Sequence, residues 1–336
     1  VLTPKAGDRF MIKGNVQQND YLIAATEGNV KTTNGIGAND INALDLVWTL
    51  KAAEGEGKFY LYNERLSVYV APLTTERNGK MGYVTDVANA GVYSVELKGA
   101  NVAFHADTQD DNGYIHHPRW GSKEVTRWEA NDANSQWQLV EAPLELTTDI
   151  NAPICYAIKS GRDGNYYFTL ENNKIKLVNN QDIVGNDNAK WFFMLDANKN
   201  LKIYPYADKA NTMGYITVVN DNTRLTNDHN ATGFVADTYT LYYNTNNAAD
   251  NNGKCFAFRP TEGNTFVSNH GGVSNYMGFH NEHNDKGTRL DFENINKEDL
   301  VSKIEAWDAY LANEGDKVCQ YVIEDNVKDE VKSALV

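Results

Sequence analysis

The stretch Asn101–Ala142, NVAFHADTQDDNGYIHHPRWGSKEVTRWEANDANSQWQLVEA, decides the fold class. It opens with the short apolar run Val102-Ala103-Phe104, turns at Asp110-Asp111-Asn112-Gly113 and continues with Tyr114-Ile115. It closes on Trp137-Gln138-Leu139-Val140. Short apolar runs separated by Asn, Asp and Gly are typical of strands joined by turns. The stretch therefore predicts a unit of strand, turn, strand, loop and strand.

This unit recurs six times along the chain. Each copy closes on a large apolar residue followed two positions later by another, which places both side chains on one face of a strand. The six closing pairs are Trp48/Leu50, Tyr93/Val95, Trp137/Leu139, Trp191/Phe193, Tyr239/Leu241 and Leu290/Phe292. They are separated by 45, 44, 54, 48 and 51 residues. The longest step contains Leu144–Pro153, which we interpret as a linker between two groups of three units.

One such unit cannot bury its own apolar face, whereas three units closed around a pseudo-threefold axis can. We therefore predict an all-β chain with one domain over residues 1–143 and a second over residues 150–293. A helical segment over residues 296–336 follows. Its first helix has an apolar stripe of Leu300, Ile304, Trp307 and Leu311, a cap at Asn296 and a stop at Gly315.

The closing sequence Ser135-Gln136-Trp137-Gln138-Leu139 resembles the end of a ricin-type lectin repeat, whose signature is Gln, any residue, Trp. Ser135 stands where that Gln would be, and the Gln is displaced to position 136. The other repeats depart further, with Leu46 two residues before Trp48 and Ala189 two residues before Trp191. The repeats also look like trefoil-like modules of secreted or surface-attached bacterial carbohydrate-active proteins. The resemblance implies two tandem β-trefoil domains.

The resemblance further implies a non-catalytic, lectin-like module that binds a glycan or polysaccharide in shallow pockets. In such pockets Asp, Asn or Gln side chains take the sugar hydroxyls, and an aromatic ring stacks on the sugar face. It also implies a secreted or cell-surface location. A second helical pattern uses Val327, Val331 and Leu335 and runs into Val336, and the chain begins at Val1. We therefore expect a trimmed fragment, without a signal peptide, of a polypeptide with a neighbouring domain.

Composition excludes several classes of partner. The formal net charge is −14, from 45 acidic against 31 basic residues. Nucleic acid is not expected as a partner, because phosphate binding needs clustered Lys and Arg. Membrane insertion is not expected either, because the sequence has no apolar run near the ~20 residues that span a bilayer. The three cysteines lack metal or redox spacing, and we expect buried small apolar residues, with a Cys155–Cys255 disulfide as the alternative.

Histidines and aromatic residues concentrate in the third repeat of each domain. Aromatic rings beside hydrogen-bonding side chains suit sugars, because sugar C–H faces stack on rings while hydroxyls need polar partners. The predicted ligand-binding residues are His116, His117, Arg119, Trp120, Trp128, His270, Tyr276, His280, Asn281 and His283.

Other kinds of site find less support. His280 and His283 could join a zinc site, but the His-Glu-x-x-His motif is absent. We expect no metal and no cofactor. The sequence also lacks a Gly-x-Ser-x-Gly elbow, a phosphate loop and a dinucleotide fingerprint. A structural or protein-binding spacer remains the main alternative, and a trefoil-based glycoside hydrolase or protease inhibitor a further one.

Overall fold

The computed structural model describes residues 3–16, 19–25, 27–76, 79–107, 109–118, 124–162, 164–179, 182–217, 224–243, 256–269, 276–283 and 285–314. The strands in the first half of this part of the chain are β1 (Arg9–Gly14), β2 (Leu22–Ala24), β3 (Val30–Thr32), β4 (Val47–Ala52), β5 (Lys58–Asn63), β6 (Val68–Val70), β7 (Tyr83–Val84), β8 (Tyr93–Lys98), β9 (Asn101–Ala106), β10 (Tyr114–His116), β11 (Thr126–Trp128) and β12 (Trp137–Glu141).

The second half has a similar series. Its strands are β13 (Tyr156–Ser160), β14 (Tyr166–Glu171), β15 (Lys174–Asn179), β16 (Trp191–Leu195), β17 (Leu201–Pro205), β18 (Gly214–Ile216), β19 (Arg224–Thr226), β20 (Phe234–Val235), β21 (Tyr239–Tyr243), β22 (Phe256–Pro260), β23 (Phe266–Ser268), β24 (Gly278–His280) and β25 (Leu290–Asn294). The helix α1 (Ile295–Glu314) follows directly.

The longer strands of each half close into a six-stranded antiparallel ring. The first ring runs β1–β4–β5–β8–β9–β12 and returns to β1. The second runs β13–β16–β17–β21–β22–β25 and returns to β13. Three hairpins accompany each ring: β2–β3, β6–β7 and β10–β11 in the first, and β14–β15, β18–β19 and β23–β24 in the second. The two halves are tandem β-trefoils, as the repeats predict.

The closing aromatic residues tie each ring to its hairpins. The indole Nε1 of Trp48 donates to the Leu22 carbonyl at 3.0 Å, and that of Trp137 donates to the Ile115 carbonyl at 3.0 Å. In the second trefoil the indole Nε1 of Trp191 donates to the Phe168 carbonyl at 2.9 Å. All three indoles are fully buried, and a buried indole needs a partner for its N–H. The periodic aromatic residue is therefore both a core side chain and a connection between ring and hairpin.

The three hairpins of each trefoil meet at one point, which we name the cap centre. In the first trefoil the Val30 N–H donates to Met81 O at 3.0 Å, and the Met81 N–H donates to Val125 O at 3.3 Å. In the second trefoil the corresponding bonds run from Leu225 to Met277 and from Met277 to Ile175. All of these residues are buried. The bonds run in the same direction around both axes, so Val30, Met81 and Val125 correspond to Ile175, Leu225 and Met277.

The two trefoils share a hydrophobic core. One buried cluster contains Tyr21 and Leu44 of the first trefoil together with Phe193 and Tyr243 of the second. The connecting segment belongs to the same cluster through Leu144, whose carbonyl accepts a 2.8 Å hydrogen bond from the Arg9 guanidinium. The connection is therefore packed between the trefoils rather than extended in solvent.

The helix α1 begins earlier than the sequence predicts. The Asn294 side chain accepts a hydrogen bond from the Lys297 N–H at 3.1 Å, so Asn294 takes the capping role predicted for Asn296. The reason is the buried Ile295, whose N–H donates to the Cys155 carbonyl at 2.9 Å and joins the helix to the ring without a loop. Leu300 is 41% exposed. The second predicted helical pattern, over residues 326–335, lies outside the described residues. In the part of the chain that is described, no helix is both long and apolar enough to cross a bilayer.

Candidate functional site

The hairpin β10–β11 of the first trefoil presents a row of aromatic side chains. Tyr114 pairs with Trp128 and His116 pairs with Thr126 across the two strands. Opposed residues share a face of the hairpin, and so do residues two apart on one strand. Tyr114, His116 and Trp128 therefore lie on one face, while Ile115 points the other way and is fully buried in the core.

We name the four rings on this face, His105, Tyr114, Trp128 and His116, the aromatic band. The His105 and Tyr114 ring centroids lie 4.6 Å apart with an interplanar angle of 34°. The His116 and Trp128 centroids lie 6.3 Å apart at 49°. Tyr114 is buried, whereas His116 and Trp128 are half-buried. The band is therefore more exposed at His116 and Trp128 than at Tyr114.

Polar groups hold the band in place. The Tyr114 hydroxyl donates to Glu96 Oε1 at 2.8 Å, and His116 Nδ1 lies 2.9 Å from the Ser135 hydroxyl. Burial, together with the carboxylates of Glu96 and Asp111, raises the pKa of Tyr114 to about 12. Tyr114 is therefore a neutral hydrogen-bond donor at physiological pH, and the orientations of the Tyr114 and His116 rings are fixed before any ligand arrives.

Arg127 fastens the neighbouring loop to the band. Its guanidinium donates to Asp110 Oδ1 at 2.7 Å, to the Asn112 carbonyl at 3.2 Å and to the Thr75 carbonyl at 2.5 Å. His105 Nε2 lies 3.0 Å from the Asp110 carbonyl oxygen, so the same loop also supports the band's first ring. Sequence reasoning missed Arg127 and Glu96, because each acts on residues more than ten positions away that no local pattern connects to it.

The structure corrects the prediction that His117 contacts a ligand. Its side chain is 2% exposed, its Nε2 lies 2.9 Å from Asp20 Oδ2, and its ring stacks on the core residue Trp137 at 6.3 Å. The imidazole therefore supports the core instead of facing solvent. The predicted residues Arg119 and Trp120 lie outside the described residues.

The second predicted cluster is divided between different places. His283 is 2% exposed and packs against the rings of Phe266 and Tyr242 at 5.2 and 6.4 Å, so it too is removed from the ligand-binding set. Burial lowers the pKa of His283 to about 4, which keeps it neutral. His280 is half-buried, with Nδ1 accepting from the Glu282 N–H at 3.1 Å, and Asn281 is exposed. His270 is outside the described residues, and Tyr276 is half-buried beside the second cap centre.

Among the described residues, the cysteines do not form a second centre. Cys155 has a free, buried thiol whose pKa burial raises to about 11, and Cys255 lies outside the described residues. Among the side chains that the structure places, no group of three His, Cys, Asp or Glu residues is arranged to hold a metal ion.

A cavity of 350 Å³ lies where the trefoils meet. Its walls combine apolar residues such as Tyr156 and Phe292 with the acidic residues Glu141, Asp291 and Glu293. The Glu293 carboxylate accepts hydrogen bonds from the Lys159 ammonium and the Tyr167 hydroxyl, each at 3.0 Å. This carboxylate is therefore held by its neighbours as part of the contact between strands.

Neither a protein-family model nor a curated protein sequence matches the chain. Among solved structures, a mosquitocidal holotoxin matches with a TM-score of 0.48 and 14% identity, over 87% of this chain and 35% of that one. The chain thus spans about a third of the holotoxin's length. The ricin B-like lectin of Macrolepiota procera, in complex with lactose, matches with a TM-score of 0.33 and 13% identity, over 44% of this chain and 99% of the lectin. The Rhizoctonia solani agglutinin matches with 0.34 and 15%, over 42% and 99%.

Proposed function

We propose that this chain is a non-catalytic carbohydrate-binding module and that the aromatic band of the first trefoil is its site. The observation that carries the proposal is the half-buried Trp128 ring held on the same face as His116, 6.3 Å away. An indole face accepts the C–H face of a sugar, and the adjacent polar side chains suit its hydroxyls. Sites of this kind use a few polar groups beside an apolar platform.

The fixed geometry of the band favours binding. The Ser135 hydroxyl beside His116 Nδ1 and the Glu96 carboxylate beside the Tyr114 hydroxyl restrict these rings to one orientation. A ligand then pays little for ordering them, because the conformational entropy is already lost in folding. Trp128 is the stacking platform in this proposal, and His116 is the polar group next to it.

We extend the proposal to the setting of the protein. The resemblance of the repeats to modules of secreted or surface-attached bacterial proteins supports a secreted or cell-surface location. It also supports a neighbouring domain in the same polypeptide. In that setting the chain would deliver or anchor its neighbour to a glycan-bearing surface.

A glycan array that includes lactose tests the proposal, with the wild-type chain, W128A and H116A compared side by side. We expect W128A to lose about tenfold or more in affinity, the equivalent of about 1.4 kcal/mol, and H116A to lose less. Tyr83→Ala is the matched control, since Tyr83 is a half-buried aromatic on a hairpin strand outside the band. Thermal melts confirm that each variant is folded.

Two results would overturn the proposal. If the wild-type chain bound no glycan on the array, the carbohydrate-binding function would be excluded and the spacer alternative favoured. Unchanged affinity in both W128A and H116A would leave the function standing but show that the aromatic band is not the site.

A further inference from the structure

The two cap centres differ in charge at equivalent positions. The backbone of Lys31 forms an isolated β-bridge with that of Glu124 in the first trefoil. The backbones of Lys176 and Tyr276 form the equivalent β-bridge in the second. Likewise Asn29 pairs with Gly82, and Lys174 pairs with Thr226. Together with the hydrogen bonds at the cap centres, these pairings establish the correspondence. The residues Asn29, Lys31, Lys80 and Glu124 of the first trefoil occupy the positions of Lys174, Lys176, Arg224 and Tyr276 in the second.

In the first trefoil an acid balances the cations at this point. The Glu124 carboxylate lies 3.3 Å from the Lys80 ammonium and 3.4 Å from the Asn29 amide nitrogen. Lys31 forms an ion pair with Glu27 on its own hairpin. Among the described residues at this cap centre, the two lysines are thus matched by two carboxylates.

In the second trefoil an aromatic ring replaces the acid, and the cations converge on it. The Lys174 and Lys176 ammonium nitrogens lie 5.1 and 5.8 Å from the Tyr276 ring centroid, and the Arg224 guanidinium carbon lies 5.4 Å from it. Glu171 forms an ion pair with Lys176. Among the described residues around this ring, three cations therefore meet one carboxylate, in a protein whose net charge is −14.

This arrangement favours an anionic ligand. Cations attracted to one ring also repel one another, and an oxyanion bound between them relieves that repulsion. All three cations are half-buried, so solvent screens them less than fully exposed side chains. The Arg224 guanidinium adds a planar fork that matches the oxygens of a carboxylate or sulfate.

We propose that the cap centre of the second trefoil binds an anionic saccharide through a sulfate or carboxylate group held by Lys174, Lys176 and Arg224. The anionic part stands on this geometry alone, and the saccharide part rests on the proposed function. A single compact cluster suits one charged group on a sugar. Nucleic acid, in contrast, requires a stripe of cations along its backbone, and the net charge of −14 repels it.

The test is isothermal titration of the full chain with three oligosaccharides of equal length, one sulfated, one carboxylated and one neutral. Inorganic sulfate and a single-stranded DNA oligonucleotide are additional probes. We expect R224Q and K174Q each to lose about tenfold in affinity for the acidic saccharides, the loss typical of one charged hydrogen bond. E171Q should bind more tightly than wild type, because it frees Lys176. E124Y, which copies the second cap centre into the first trefoil, should add weak anion binding.

W128A separates this site from the aromatic band. We expect W128A to lower the affinity for neutral glycans, whereas R224Q and K174Q remove the preference for acidic over neutral oligosaccharides, so either site can fail without the other. The proposal is overturned if the wild type binds neither acidic saccharide, or if folded R224Q and K174Q bind them unchanged. If the oligonucleotide bound as tightly as the acidic saccharides, and R224Q and K174Q lost that binding too, the assignment to a saccharide would be overturned. If inorganic sulfate bound as tightly as the sulfated oligosaccharide, the sugar would contribute nothing, and the assignment to a saccharide would again be overturned.

Discussion

The hydroxyl oxygens of Tyr21 and Tyr243 lie 3.0 Å apart, and their rings meet edge to face with centroids 5.3 Å apart. Tyr21 belongs to the first trefoil and Tyr243 to the second, and both are buried. Burial raises the pKa of Tyr21, while the hydrogen bond with Tyr243 opposes that rise. The pair is therefore a neutral hydrogen bond that links two trefoils inside their shared core.

Removing one hydroxyl of this pair should destabilise the whole chain. We expect Y21F and Y243F each to lower the free energy of unfolding by about 1 kcal/mol, since each removes the hydrogen bond between two buried hydroxyls. The double variant should cost less than the two single costs combined, because both single changes remove the same hydrogen bond. Urea denaturation followed by fluorescence measures all three. Strictly additive costs would show that the two hydroxyls do not interact.

Two equivalent tyrosines should respond differently to loss of the hydroxyl. Tyr93 donates its hydroxyl to the Ala71 carbonyl at 2.6 Å, so Y93F should destabilise the protein by about 1 kcal/mol. The Tyr239 hydroxyl is buried with no hydrogen-bond partner among the described residues, so Y239F should be neutral or slightly stabilising. Melting temperatures of the two variants test this prediction. A fall in melting temperature in Y239F equal to that in Y93F would contradict it.

Stability should fall in mild acid because of His283. Its folded-state pKa of about 4 lies below the value of about 6.5 expected in the unfolded chain, so the unfolded state binds the proton more readily. The contribution of His283 is complete above pH 6.5 and is lost as the pH falls toward 4, by roughly 3 kcal/mol. Denaturation curves between pH 4 and 7 should show a shallower dependence in H283Q. Identical slopes in the two proteins would exclude this role.

His116 and His117 are adjacent in sequence, yet their substitution should have opposite effects. H117A removes a buried imidazole bonded to Asp20 and should lower the free energy of unfolding by about 2 to 3 kcal/mol. Glycan affinity, measured on the folded fraction, should stay unchanged. H116A should instead reduce affinity with less than about 1 kcal/mol of destabilisation, because its ring is half-buried. The reverse outcome would place His117 in the binding site.

The ring strands could be predicted from sequence because each carries its own local signal. Trp48, Tyr93, Trp137 and Trp191 follow one another at steps of 45, 44 and 54 residues, and each has an apolar partner two positions on, as expected for a strand with one buried face. A local signal for His117 also existed. Neighbouring residues on an extended chain point to opposite sides, so His116 and His117 could not both face one ligand.

The cap centres could not be predicted, because they are assembled from distant residues. Lys174, Arg224 and Tyr276 come from three different hairpins, and nothing near any one of them indicates the other two. The bond between His117 and Asp20 likewise joins residues 97 positions apart. Local patterns establish which strands form, whereas the chemistry at the pseudo-threefold axis depends on how those strands close.

The core shared by Tyr21, Leu44, Phe193 and Tyr243 packs the two trefoils directly against each other. The aromatic band and the second cap centre are therefore held at one separation and one mutual angle. A polymer whose repeat matched that span would bind the second site at a high effective concentration, and avidity would exceed the affinity of either site. A polymer too short to reach both sites, or with a repeat of another length, would show no gain in avidity. The packing between the domains would then act as a ruler for ligand length.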